Sequence, residues 1–141
     1  MDNTDYESLA ELRYQIRRFL RFSEQAARQT GLEPRQHQLL LALKGLPKNV
    51  RPRIGELAER LQIQHHSTVE LANRLAARGL VKRHQSDGDR REVLLALTTK
   101  GDKLLRELSL YHKQELRNAG PDLLRALKRV IEGNRPTKKG R

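Results

Sequence analysis

The stretch 54–101, IGELAERLQIQHHSTVELANRLAARGLVKRHQSDGDRREVLLALTTKG, decides the fold of this chain. Its first half contains a short helical segment at 54–61, a break at 62–64 and a second helical segment at 65–78, which Gly79 ends. Two helices separated by about three residues have the spacing of a helix-turn-helix unit. We therefore predict that the second segment is the recognition helix of such a unit.

The second half of the stretch changes its apolar period from that of a helix to that of a strand. From Leu80 the sequence runs LVKRH, then the polar segment QSDGDRRE, then VLLALT, in which Val93, Leu95 and Leu97 share one face. This alternation predicts a β-hairpin with a charged tip. A hairpin that directly follows a helix-turn-helix predicts a wing.

On the N-terminal side, apolar residues recur at three- and four-residue spacing over 5–30, and Gly31 supplies a stop. Pro34 suits the first turn of the next helix, and the breaker-rich segment 46–53 is predicted to be a connector. We therefore expect an N-terminal helix at 5–30, followed by a winged helix-turn-helix lobe at 34–98. The helices at both ends of the chain carry apolar stripes that a small winged lobe could not bury alone, so we expect them to form a dimerisation region.

On the C-terminal side, Thr98 can cap a helix to about residue 118, Gly120-Pro121 predicts a break, and a last helix follows. These helices at 99–132 are the second part of the dimerisation region, and the tail 133–141 is predicted to be basic and flexible. The predicted fold is mainly α-helical with a small β-hairpin wing: a winged helix-turn-helix lobe plus a helical dimerisation region built from N- and C-terminal helices.

Composition limits the classes of function. The chain has 29 Lys and Arg against 17 Asp and Glu, a net charge of +12, which favours a polyanionic partner: nucleic acid first, an acidic membrane surface second. No apolar run approaches the roughly 20 residues of a membrane span, and the acidic start does not resemble a secretory signal, so we expect a cytoplasmic protein. Without cysteine or a catalytic motif, we expect neither an enzyme nor a bound cofactor.

The second helix has a candidate DNA-reading face. Thr68, Leu71, Ala72 and Leu75 have the spacing of inward positions. This leaves five side chains for the major groove: His65, His66, Ser67, Glu70 and Arg74. The alternative is an ordinary surface helix with a solvated charged face. The hairpin that follows favours the DNA-binding interpretation.

The wing contributes a second group of candidates. Its arginines Arg83, Arg90 and Arg91 can lie in or beside a minor groove, and Asp89 can hold the guanidinium of Arg91 in place. The alternative is a polar turn that is charged because it is exposed. Its position after a helix-turn-helix again favours contact with DNA.

At these positions the chain resembles the multiple-antibiotic-resistance regulator (MarR) family. The family pattern of GLV, R, D-x-R and LT-x-x-G is matched by Gly79, Leu80, Val81, Arg83, Asp89, Arg91, Leu97, Thr98 and Gly101. The resemblance implies a homodimer in which the first and last helices interlock, with a winged lobe on each side. Two equivalent recognition helices related by a two-fold axis then require duplex DNA with an inverted-repeat site.

Two residues depart from the family pattern. Gln62 stands at a turn position that is often glycine, and Glu70 stands where a basic residue is frequent. A carboxylate that faces DNA repels phosphate, so Glu70 either accepts a hydrogen bond from a cytosine amino group or is held by Arg74. The operator of any relative therefore cannot be transferred to this chain.

The resemblance also implies a crevice for a small anionic aromatic effector. Its candidate lining residues are Tyr14, Arg18, His37, Tyr111 and His112. The alternative is that the aromatic rings pack at the dimer interface and that Arg18 is a solvated charge. We expect no metal site, because the adjacent His65 and His66 point about 100° apart on a helix.

The sequence therefore predicts a sequence-specific DNA-binding transcription regulator, with repression that an effector relieves. The first alternative is a nonspecific nucleic-acid-binding or architectural protein, which the net charge of +12 alone would support. The second is an interaction protein whose winged lobe no longer binds DNA, which only Glu70 favours.

Overall fold

The computed structural model describes residues 1–86, 88 and 91–133. Asp89, Arg90 and the tail after residue 133, for which predictions were made above, lie outside these residues. The elements are α1 (Asn3–Gln29), α2 (Pro34–Lys44), α3 (Ile54–Leu61), α4 (His65–Ala77), β1 (Val81–Gln85), β2 (Val93–Leu97) and α5 (Thr99–Glu132). No helix in the described part of the chain is long and apolar enough to cross a membrane. The predicted mainly helical fold with a β-hairpin is confirmed.

The chain divides into two compact units. The winged unit is the segment Ala26–Ser109, and the helical unit combines Met1–Gln25 with the chain from Leu110 onward. Helices α1 and α5 each contribute to both units.

The winged unit is built around one apolar core. Leu40 of α2, Leu57 of α3 and Leu75 of α4 are each 0% exposed, and Leu95 of β2 is 1% exposed. All four belong to the same cluster of buried side chains. Burial of a leucine side chain contributes roughly 1.5–3 kcal/mol, so this shared core fixes helix-turn-helix and wing against each other.

The wing is paired on both edges of its second strand. β1 and β2 pair antiparallel, with Val81 opposite Leu97. On the other edge of β2, Arg53 forms an isolated antiparallel bridge with Leu94. The connector predicted at 46–53 therefore supplies a short extra pairing to the sheet, which its prolines did not indicate.

The turn between α3 and α4 uses a left-handed residue. Gln62 has φ 55° and ψ 45°, a conformation that favours glycine. Its backbone N–H donates to the carbonyl of Glu59 at 3.1 Å, and that of Ile63 donates to Ala58 at 3.2 Å, which is the Schellman pattern. The side-chain amide of Gln62 also donates to the Glu59 carbonyl at 2.7 Å, so this side chain supports its own strained turn.

Helix α1 begins two residues earlier than predicted. The backbone N–H of Asp5 donates to the Asp2 carboxylate at 3.1 Å, and the N–H of Asp2 donates to the Asp5 carboxylate at 2.9 Å. This reciprocal cap satisfies two N–H groups at the helix start. The bond from the Asp5 backbone also lowers the pKa of the Asp2 carboxyl.

Helix α5 is continuous, so the predicted break at Gly120-Pro121 was wrong. Ala119 is half-buried and Ala126 is buried, seven residues on, so the inward face of the helix keeps its phase across the proline. Gly120 has no Cβ to clash with the proline ring. Pro121 is exposed, and water can satisfy the Arg117 carbonyl that it leaves without an N–H partner.

The start of α5 is joined tightly to the end of the helix-turn-helix. Thr98 Oγ1 accepts from the Gly101 N–H at 3.0 Å, which confirms the predicted cap, and donates to the Gly79 carbonyl at 2.6 Å. The Thr98 N–H donates to the Leu80 carbonyl at 3.1 Å. A Cβ on Gly101 would lie 2.0 Å from that same oxygen, so only glycine fits here.

Candidate nucleic-acid interface

Helix α4 separates a buried face from an exposed face, as its sequence predicted. Thr68, Leu71, Ala72 and Leu75 are all buried. Four of the five predicted reading residues are exposed and Ser67 is half-buried; the exposed ones are His65, His66, Glu70 and Arg74. Asn73 is also exposed on this helix, and the sequence analysis did not select it.

Asn73 connects the recognition helix to the wing. Its Oδ1 accepts a hydrogen bond from Nη1 of Arg83 on β1. The bond fixes one end of a planar guanidinium, whose other N–H groups stay available as donors. The pair is ten residues apart in sequence and meets only after the hairpin packs on α4, so no local pattern could have identified it.

Arg51 connects the connector to the base of the wing tip. Its Nη2 donates to Ser86 Oγ at 2.7 Å, and its Nε lies 3.1 Å from Glu92 Oε1. Ser86 and Glu92 are themselves joined by a backbone hydrogen bond of 3.0 Å. One guanidinium therefore holds both strands where they enter the tip. No sequence pattern indicated this role beyond a general surplus of arginine.

A groove of about 450 Å³ lies between α3, α4 and the wing. Three predicted residues line it, His65, Arg83 and Arg91, together with Arg53. Two carboxylates, of Glu56 and Glu92, also line the groove, and the three guanidinium groups leave its lining net positive, which favours an anionic partner. Arg91 is exposed and engages in interactions within the protein.

Glu70 has no counter-ion in the described part of the chain. No lysine, arginine or histidine nitrogen among residues 1–86, 88 and 91–133 lies within 4.0 Å of its carboxylate, although Arg74 is one turn further along the helix. Some described carboxylates of the winged unit are paired, such as Glu56 with Arg60 at 3.3 Å and Asp102 with Lys44 at 2.8 Å. Glu59 and Glu107 are, like Glu70, without an ion pair among the described residues.

Four of the five candidate effector residues belong to the helical unit, and the fifth belongs to the winged unit. In the helical unit, Arg18 lies over the Tyr14 ring at 5.5 Å, and Tyr111 stacks on Phe22 at 5.1 Å. His112 Nε2 lies 2.8 Å from Ser23 Oγ.

His37 belongs to the winged unit, where it is 2% exposed. Arg18 alone among the five candidates lines a cavity of about 290 Å³ in the helical unit. Within the described residues, no three acidic or histidine side chains converge as metal ligands.

Comparison with known proteins gives a consistent relationship. Residues 30–92 match the model of the MarR family. HTH-type transcriptional repressor MdtR of Bacillus subtilis (strain 168) is 33% identical over 72 residues, which make up 51% of this chain and 44% of that protein. The aligned segment thus spans less than half of that repressor.

Solved structures extend the likeness in fold to almost the whole chain. AbsC, a MarR family transcriptional regulator from Streptomyces coelicolor, has a TM-score of 0.77 at 21% identity, over 96% of this chain and 93% of its own. A mutant of S. aureus MepR bound to an oligodeoxyribonucleotide has a TM-score of 0.65 at 19% identity, over 92% of this chain and 98% of its own. The matched family segment contains the helix-turn-helix together with the first strand of the wing, so this part of the chain is similar to the MarR family.

Proposed function

We propose that this chain is a sequence-specific DNA-binding transcription regulator that acts as a repressor. The observation that carries the proposal is the exposed face of α4 beside a groove lined by Arg53, Arg83 and Arg91. The major groove of DNA admits an α-helix, and α4 can present its exposed polar face to the base edges there. The arginines beside α4 can contact phosphates or lie in a minor groove. The net charge of +12 adds an attraction that does not depend on sequence.

The match of residues 30–92 to the MarR family supports this function, because members of that family are DNA-binding regulators rather than enzymes. The name of MdtR supports repression in particular, and the MepR structure supports contact between this fold and DNA.

We infer that the acting species is a homodimer. In the described part of the chain, all large exposed apolar side chains except Leu41 belong to the helical unit; they include Leu9, Leu20, Leu124, Leu127 and Ile131. A surface of this kind is a favourable interface with a second copy. A two-fold dimer then presents two α4 helices to half-sites about one helical turn apart.

Site selection from a random duplex pool tests this function. We expect an inverted repeat, and we expect light scattering to report a dimer at micromolar concentration. Competition against random DNA separates the alternatives, since specific binders of this kind exceed their own nonspecific affinity by about 10³ or more. Equal affinity for all sequences would support an architectural protein. Absence of binding would support an interaction protein.

We further propose that a small anionic aromatic compound relieves repression. The cavity of about 290 Å³ in the helical unit supports this proposal, because Arg18 and Arg21 can attract a carboxylate while Phe19 and Phe22 offer apolar walls. To weaken DNA binding, the compound must bind more tightly to a dimer in which the spacing of the two winged units does not match the two half-sites.

Benzoate is a suitable probe for this cavity. We expect it to raise the melting temperature of the wild type and to weaken operator binding, and we expect Arg18→Ala to lose both effects. Arg17→Ala removes an equal charge at an exposed neighbouring position that does not line the cavity, and should retain them. An equal response of both variants would contradict the assignment.

A further inference from the structure

Glu70 is a carboxylate on the face of α4 that the proposed function turns toward DNA. The sequence left two roles open for it, and an ion pair with Arg74 was one of them. The structure does not contain that ion pair: among the described residues no cation lies within 4.0 Å of Glu70. Its negative charge is therefore not neutralised by any described residue of the winged unit in the absence of DNA.

An unneutralised carboxylate restricts what can lie opposite it. It offers only acceptors, and phosphates, guanine N7 and O6, and thymine O4 are acceptors as well. Exocyclic amino groups are the donors in the major groove, on cytosine N4 and adenine N6. The adenine amino group is flanked by the acceptor N7 of its own base, which repels the second carboxylate oxygen. Cytosine has a C–H at the corresponding position and does not.

We propose that Glu70 is a specificity-determining residue that accepts a hydrogen bond from the N4 amino group of one cytosine in each half-site. Its charge also disfavours duplexes that lack this cytosine, because they leave the carboxylate against acceptors and phosphates. The inference rests on the proposed function and adds one defined position to the operator.

Site selection with matched variants tests this inference. Glu70→Ala removes the charge and both acceptor oxygens, and Glu107→Ala makes the same change at an exposed position of α5. We expect the wild type and the α5 variant to select the same cytosine in each half-site, and Glu70→Ala to lose that preference. Glu70→Ala should also bind random DNA more tightly, so that its ratio of specific to nonspecific affinity falls about tenfold.

A modified operator isolates the hydrogen bond. Replacing the selected cytosine with 2-pyrimidinone deletes the N4 amino group while leaving the ring in place. The wild type should lose about tenfold in affinity for this duplex, and Glu70→Ala should lose much less, since it has no oxygen that could accept this bond.

Two outcomes overturn the inference, and they differ. If the wild type enriches a sequence and Glu70→Ala enriches the same base at every position, the proposed function stands and the role of Glu70 is wrong. If the wild type enriches no sequence at all, the proposed function fails and this inference fails with it.

Discussion

Replacing Gly101 with alanine should destabilise the winged unit by about 3 kcal/mol or more, at or above the upper end for overpacking of a tight site. The added Cβ would lie 2.0 Å from the Leu80 carbonyl oxygen and 2.9 Å from its carbon. That oxygen already accepts the Thr98 N–H, so it cannot retreat without loss of a bond that joins the wing to α5. The clash is with backbone, and no side-chain rotation relieves it.

Thermal unfolding of the purified protein measures this effect. For a domain of this size we expect the melting temperature to fall by about 10 °C or more. Gly55→Ala is the matched control, since it is the same substitution in α3 where no described atom lies within 4 Å of the new Cβ. It should leave the stability unchanged or raise it by about 0.5–1 kcal/mol, the gain in helix propensity. Equal melting temperatures for the two variants would show that the α5 junction tolerates a side chain.

Replacing Arg91 with alanine should reduce operator affinity by about 1–3 kcal/mol while the melting temperature and the dimer stay nearly unchanged. Arg91 is exposed and lines the groove beside Arg53 and Arg83, so its removal takes one of three guanidinium groups from the proposed DNA surface. Fluorescence anisotropy at two salt concentrations measures the loss. Arg106→Ala is the control, because it removes the same charge from an exposed position of α5.

The salt dependence separates two modes of contact for Arg91. A phosphate contact predicts an equal loss on all sequences and a shallower slope of log affinity against log salt, by about one for each phosphate released. A groove contact predicts a greater loss on the operator than on random DNA. Full operator affinity in Arg91→Ala would contradict the wing assignment.

Asp89 remains the predicted orienting residue for Arg91, outside the described residues. Asp89→Ala should weaken binding less than Arg91→Ala. Combined with Arg91→Ala, it should add little, because nothing is left to orient.

Periodicity predicted the helix-turn-helix and the wing because each of these elements buries one face. The helical spacing of the buried positions in α4 and the change to strand spacing after Gly79 both result from that burial. The same argument could have predicted that α5 is continuous, since the positions on its inward face keep helical spacing across Gly120-Pro121. The helix-breaking residues Gly120 and Pro121 predicted a break there, but tertiary packing along the whole helix outweighed their local preference.

The candidate site was less predictable than the fold. Exposure on α4 followed from its spacing, but the bonds from Asn73 to Arg83 and from Arg51 to Ser86 join residues that are distant in sequence. Such pairs depend on the register of the hairpin and on the path of the connector. A single sequence contains no periodic signal for either.

The contact made by Arg51 implies that the wing is not an exchangeable module. Its tip is held from a segment that lies before the helix-turn-helix in the chain, so a hairpin transplanted into another scaffold would arrive without its brace. A chimaera that contains only residues 80–98 of this protein would have the arginines of the wing. It would lack the contacts of Arg51 that hold the two strands where they enter the tip. If the wing changes in proteins related to this chain, we therefore expect the connector to change with it.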